Sequence, residues 1–136
     1  MMAENTLNDS EAQLAKHALN MLSIQVHNIN VKAGWYADPK TGRKLTKGRN
    51  VMEMLCLIHS EVSEAAEGYR KDLMDDKLPD RKMLEVELAD TLIRIFDLAG
   101  YQQLDLGGAL VEKMKYNAVR ADHKLSNRRL PGGKSC

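Results

Sequence analysis

A chain of 136 residues is long enough for one hydrophobic core and too short for two independent ones. Its 20 basic side chains nearly cancel 19 acidic ones, which argues against a general nucleic-acid coat, whose affinity comes from a basic surplus. No apolar run approaches the roughly 20 residues of a membrane span, and the opening Met-Met-Ala-Glu-Asn has no signal-peptide core. Cys56 and Cys136 show no metal-ligand spacing. The expectation is a reduced cytoplasmic protein that engages neither membrane nor nucleic acid.

After a flexible N-terminus over residues 1–9, Ser10-Glu11-Ala12-Gln13 reads as a capping box that opens a first helix. Leu14, Ala18, Met21, Leu22 and Ile29 recur at three and four, and Gly34 is a natural stop. A loop from Trp35 to Gly48 carries the turn pairs Asp38-Pro39 and Thr41-Gly42. The second helix is expected from Asn50 to Asp72, with Val51, Met54, Leu55, Ile58, Val62 and Ala65 on one face. Cys56 lies in its apolar run and reads as a small buried hydrophobe. Leu78-Pro79-Asp80 breaks the chain before a third helix, which carries Leu84, Leu88, Thr91, Ile95 and Leu98 in register and stops at Gly100. Asp105 caps a fourth, with Leu110, Met114 and Ala118 as its stripe, although Gly107-Gly108 weakens the first turn. A basic, Gly-rich, flexible tail follows over residues 126–136. Nothing alternates with period two, so the fold class is all-α, a four-helix bundle-like domain over residues 10–125. The apolar stripes are broad for one small monomer, and helices with two greasy sides bury one of them against another copy. A homo-oligomer, dimer or tetramer, is therefore expected.

The acids on the second and third helices carry the functional reading. On a helical wheel centred on Ile58, Glu61 lies about 60° and Glu64 about 120° to one side. Centred on Leu84, Glu87 and Asp90 take about the same two angles on the same side. If the stripes pack together, the two i,i+3 pairs converge. Two carboxylates ~5 Å apart repel by roughly 3 kcal/mol at an effective dielectric near 20, a burden that a divalent cation among them relieves. Four carboxylates with no histidine or thiolate at ligand spacing favour Mg²⁺, or Mn²⁺, over zinc, and such an ion suits phosphate oxygens. The alternative is a pair of solvated acidic faces. Arg94 falls between the angles of Glu87 and Asp90 and either neutralises the cluster or touches a phosphate. A di-iron bundle would want histidine three residues after a ligand glutamate, and neither Glu61 nor Glu87 has one. A helical adaptor that merely oligomerises, or a degenerate nucleotide-binding homologue, remains open.

Ser60-Glu61-Val62-Ser63-Glu64 followed by Glu87-Leu88-Ala89-Asp90 resembles the E-E-x-x-E … E-x-x-D signature of the MazG-like all-α nucleoside triphosphate pyrophosphatases, relatives of dimeric dUTPases and dCTP pyrophosphatases. Ser60 replaces the first glutamate. Arg49-Asn50, Asp105-Leu106 and Lys113-Met114-x-x-Asn117-x-x-Arg120 are similar to further segments of that family, and the likeness runs from Ile24 to His123. The resemblance implies hydrolysis of a nucleoside triphosphate between its α- and β-phosphates, with Glu61, Glu64, Glu87 and Asp90 as metal ligands. Glu64 is the candidate that orients or deprotonates the attacking water. Lys113, Asn117 and Arg120 at i, i+4, i+7 share one helix face, either as a triphosphate clamp or as a solvated basic stripe. Family members often keep an aromatic and a histidine near the end of the first helix to hold the base. Here that implies Trp35 and His27, with Asn28 a further candidate, although Trp35 could equally plug an oligomer core.

Overall fold

The computed structural model describes residues 6–135, and among them are five α-helices, one 3₁₀ turn and no strand. The helices are α1 Asp9–Lys32, α2 Val51–Arg70, α3 Met83–Tyr101, α4 Leu106–Val119 and the one-turn α5 Leu125–Arg128, with the 3₁₀ turn Ala121–His123 before the last. The fold is all-α. No helix among the described residues is long and apolar enough to cross a membrane. Of the N-terminus expected to be flexible, residues 1–5 lie outside the described residues, as does Cys136 at the other end. The stretch expected as a tail opens with α5.

Local chemistry sets the helix ends. The capping box of α1 is Asn8 with Glu11, two residues ahead of the Ser10 box expected. Asn8 Oδ1 accepts the Glu11 N–H and Glu11 Oε2 accepts the Asn8 N–H, both at 2.9 Å. A carboxylate acceptor at the fourth position outbids the amide of Gln13. At the other end Gly34, with φ +91°, completes a Schellman motif: its N–H donates to Val31 O and that of Trp35 to Asn30 O. Asn50 caps α2 through the N–H groups of Met52 and Glu53, and Asp105 caps α4 through that of Gly108.

The chain divides into two compact units, one of residues 22–104 and the other of the segments up to Met21 and from Asp105 onward. In the second, Asp105 Oδ1 also accepts the Asn20 amide at 2.7 Å, and Asn20 Oδ1 accepts the Gly107 N–H at 2.8 Å. Gly107 lies so close to α1 that a Cβ there would sit 2.4 Å from the Lys16 carbonyl oxygen. The glycine that weakens the helix on propensity is what admits the approach.

In unit 22–104, α2 and α3 pack along each other. Gly100 lies inside α3 rather than stopping it, and a Cβ there would lie 2.3 Å from the Ser23 carbonyl oxygen of α1. Close backbone approaches bury small residues, so α1 buries Ala12 and Ser23 and leaves the expected stripe outside, Leu14 at 70% and Ile29 at 61% exposure. On α2 the buried residues are Met54, Glu61, Ala65 and Gly68. That seam is turned about 50° from Ile58 toward the acids. Leu55 and Val62, expected inside, are exposed in consequence; Cys56, also expected inside, lies about 160° round α2 from Ile58 and is exposed, as are Leu88 and Leu92 of α3. The loop after α1 is closed by a bridge between Ala37 and Lys44, with Asp38 Oδ1 accepting the N–H groups of Lys40 and Thr41.

Candidate metal centre

The rotation of α2 decides which acids meet. Glu61 falls inside the α2–α3 seam, opposite Glu87 and Asp90. Each of the three offers one carboxylate oxygen, and these atoms lie within 4.8 Å of one another. Glu61 and Glu87 are buried at 7% exposure each, and Asp90 is half-buried. This triad could hold a metal ion. Glu64, expected as a fourth ligand, lies about 60° further round the helix, is exposed and stands outside the triad.

The electrostatics are those of crowded like charges. Desolvation by burial is the largest influence on Glu87, followed by its hydrogen bond with Glu61 and the charges of Glu64, Glu61 and Asp90; together they push its carboxyl up from an ordinary 4.5 to about 7. Glu64 is thus near enough to act on the triad through its charge. Arg94 Nε donates to Glu61 Oε1, a pairing that neutralises part of the cluster. A single guanidinium against three carboxylates leaves the cluster negative.

Beside the triad a cleft of about 350 Å³ is lined by Glu61, Asp90, Asp97, Arg94 and Arg49, with Asn30 and Trp35. Trp35, 65% exposed, contributes an aromatic side chain to that lining. The other two residues expected near a base lie elsewhere. Asn28 is exposed and does not line the cleft; Asn30, two residues on, does. His27 points at Asp97, its Nδ1 2.9 Å from Asp97 Oδ1, with its ring edge-on to Tyr36 at 4.8 Å between centroids.

Asp97, Tyr36 and Arg49 form a group that sequence reasoning missed. Asp97 is 3% exposed, accepts the Tyr36 hydroxyl at 2.9 Å, and has Arg49 Nη1 3.6 Å from its second oxygen. Burial first, then the hydrogen bond to this carboxylate, hold the Tyr36 hydroxyl above its ordinary range. The available signal was spacing: Asp97 follows Asp90 by seven residues, nearly the same helix face, inside the apolar run Ile95-Phe96-Asp97-Leu98.

Lys113, Asn117 and Arg120 belong to the other unit. They do not share a helix face, because α4 ends at Val119 and Arg120 is extended at φ −61°, ψ 133°. There its guanidinium takes both oxygens of Asp122, at 2.9 and 2.6 Å. Lys113 Nζ and Arg120 Cζ each lie against the Tyr116 ring, 4.7 and 5.5 Å from its centroid. Asn117 Oδ1 is buried without a hydrogen-bond partner and lines a second hollow with His123 and Lys124.

Comparisons with protein-family models, curated proteins and solved structures found no match for this chain.

Proposed function

We propose that the chain hydrolyses a nucleoside triphosphate to the monophosphate and pyrophosphate with the help of Mg²⁺, as its resemblance to MazG-like pyrophosphatases implies. The observation that carries this reading is the convergence of Glu61, Glu87 and Asp90 within 4.8 Å, two of them buried. Acids at that spacing repel by roughly 3 kcal/mol per pair, a sizeable part of a stability of about 5–15 kcal/mol. A fold that keeps them together without enough cations gains from a divalent ion.

Mg²⁺ or Mn²⁺, when bound, supplies charge neutralisation for the phosphate oxygens and the leaving pyrophosphate. The chain's own residues do the rest. Glu64, exposed at the rim of the seam, orients the attacking water or takes its proton. Trp35 gives a nucleobase a stacking face, and the Asn30 amide gives its edge a hydrogen-bonding partner. Exposed Leu55, Val62, Leu88 and Leu92 on α2 and α3 support a homo-oligomer that covers them. The role fits the cytoplasmic control or house-cleaning of nucleotide pools.

The test is a pyrophosphate-release panel over canonical and modified NTPs and dNTPs with Mg²⁺. Turnover of at least one substrate, abolished by a chelator, is expected. No release from any of them, together with no response of the melting temperature to millimolar Mg²⁺, would favour a helical adaptor instead.

A further inference from the structure

We infer that Arg49 is the residue of the cleft that binds an anionic phosphate group of the ligand, and that Asp97 and Tyr36 are positioning residues that hold its guanidinium there. The identity of the ligand as a nucleotide rests on the function proposed above; the anion site does not.

Two cationic side chains line the cleft, Arg49 and Arg94. Arg94 is already paired with the buried Glu61. Arg49 is held differently. Its backbone N–H donates to the Tyr101 hydroxyl at 3.1 Å, one residue before the Asn50 cap of α2, so the main chain is fixed. Its guanidinium lies over the Tyr36 ring at 5.6 Å, with Nη1 3.6 Å from Asp97 Oδ2. That separation is longer than a hydrogen bond. The carboxylate attracts the guanidinium without saturating its five N–H donors.

Asp97 itself explains the arrangement. A carboxylate with 4% side-chain exposure must be partnered, and its Oδ1 is, by Tyr36 and by His27. Three separate stretches of chain, at His27, Tyr36 and Arg49, therefore converge on one residue of α3. Arg49, 20% exposed, and Asp97 both line the cleft, and of the two only Arg49 offers donors there. A planar guanidinium held by a ring and a carboxylate, with donors left over, is suited to two-point binding of a phosphate oxygen pair. A triphosphate needs such a group, since it brings more negative charge than one divalent cation cancels, into a cleft whose acids already outnumber its cations.

The test uses the full chain, calorimetric titration with inorganic tripolyphosphate under excess Mg²⁺, and four proteins: wild type, Arg49→Met, Arg49→Lys and Tyr36→Phe. Loss of a charge-assisted pair predicts a weakening of about thirtyfold for Arg49→Met. Arg49→Lys keeps the charge, loses the fork, and should weaken binding by about five- to tenfold. Tyr36→Phe keeps Arg49 and should raise KM for the best triphosphate by about threefold with kcat unchanged, a split that a merely structural role would not produce. The Mg²⁺-induced rise in melting temperature, which reports the triad, should be the same in all four. Arg49→Lys keeps the inference open to refutation should Arg49→Met not fold. Undiminished tripolyphosphate binding in the Arg49 variants, or no binding by the wild type at millimolar concentration, overturns it. A wild type that binds tripolyphosphate through Arg49 but releases pyrophosphate from no triphosphate sinks the hydrolase reading and upholds this one.

Discussion

Replacing Glu87 by glutamine separates a metal centre from an ordinary acidic surface, because it should stabilise the metal-free protein and abolish its response to metal. Glu87 is buried at 7% exposure, and desolvation, then Glu61, Glu64 and Asp90, raise its carboxyl from 4.5 to about 7. The folded state therefore holds this proton more tightly than the unfolded chain does. The stabilisation it brings is complete below about pH 4.5 and is lost as pH rises through about 7. At about 1.4 kcal/mol per pH unit, a rise from 4.5 to about 7 corresponds to about 3.5 kcal/mol, of which glutamine, itself a buried polar group, recovers the larger part. Glutamine keeps the shape, does not titrate and removes one like charge. In a chelator at pH 8, Glu87→Gln should be more stable than the wild type by roughly 2–3 kcal/mol, seen as a melting temperature higher by about 10 °C. The slope of wild-type stability between pH 5 and 7.5 should flatten in the variant. Excess Mg²⁺ reverses the order: a ligand at a hundred times its Kd adds about 2.7 kcal/mol to a protein that binds it, and the variant, short of one ligand, should gain little. Denaturant and thermal unfolding with and without Mg²⁺ read all of this. A variant less stable than wild type in chelator at pH 8, or protected by Mg²⁺ to the same extent, would refute the clustered-carboxylate argument.

Glu64→Gln should fold and still respond to Mg²⁺, since Glu64 is exposed and outside the triad, while pyrophosphate release falls by about a hundredfold or more; near-normal turnover would remove it from handling water. Arg94→Met removes the partner of the buried Glu61. Metal-free stability should drop by about 1–2 kcal/mol, and calorimetry should show Mg²⁺ binding several-fold tighter, because a competing positive charge is gone. Asp97→Asn leaves Arg49 without its counter-charge and should lower stability by about 3 kcal/mol in urea unfolding; an effect below about 0.5 kcal/mol would mean that the three donors do not depend on it. Gly107→Ala would set a methyl 2.4 Å from the Lys16 carbonyl oxygen and should destabilise by at least about 1 kcal/mol despite alanine's better helix propensity.

Four principal helices and an all-α fold were legible in the sequence because caps, stops and breakers act within a few residues of where they stand. Asn50, Asp105, Gly34 and Pro79 mark ends with local hydrogen bonds or lost ones, and the structure places the helix ends near them. The i,i+3 spacing of Glu61–Glu64 and Glu87–Asp90 likewise put acids on matched helix edges before any packing was known. How far each helix turns about its own axis was not legible, since apolar periodicity gives a broad arc and not an angle. Close approach at Gly100 and Gly107, and the turn of α2 toward its acids, were decided by which backbones could touch. That turn drew Glu61 into the triad and left Glu64 at the rim. Asp97 with His27, Tyr36 and Arg49 joins residues up to 70 positions apart, a grouping that no local pattern encodes, because a buried carboxylate gathers its donors from wherever the folded chain brings them.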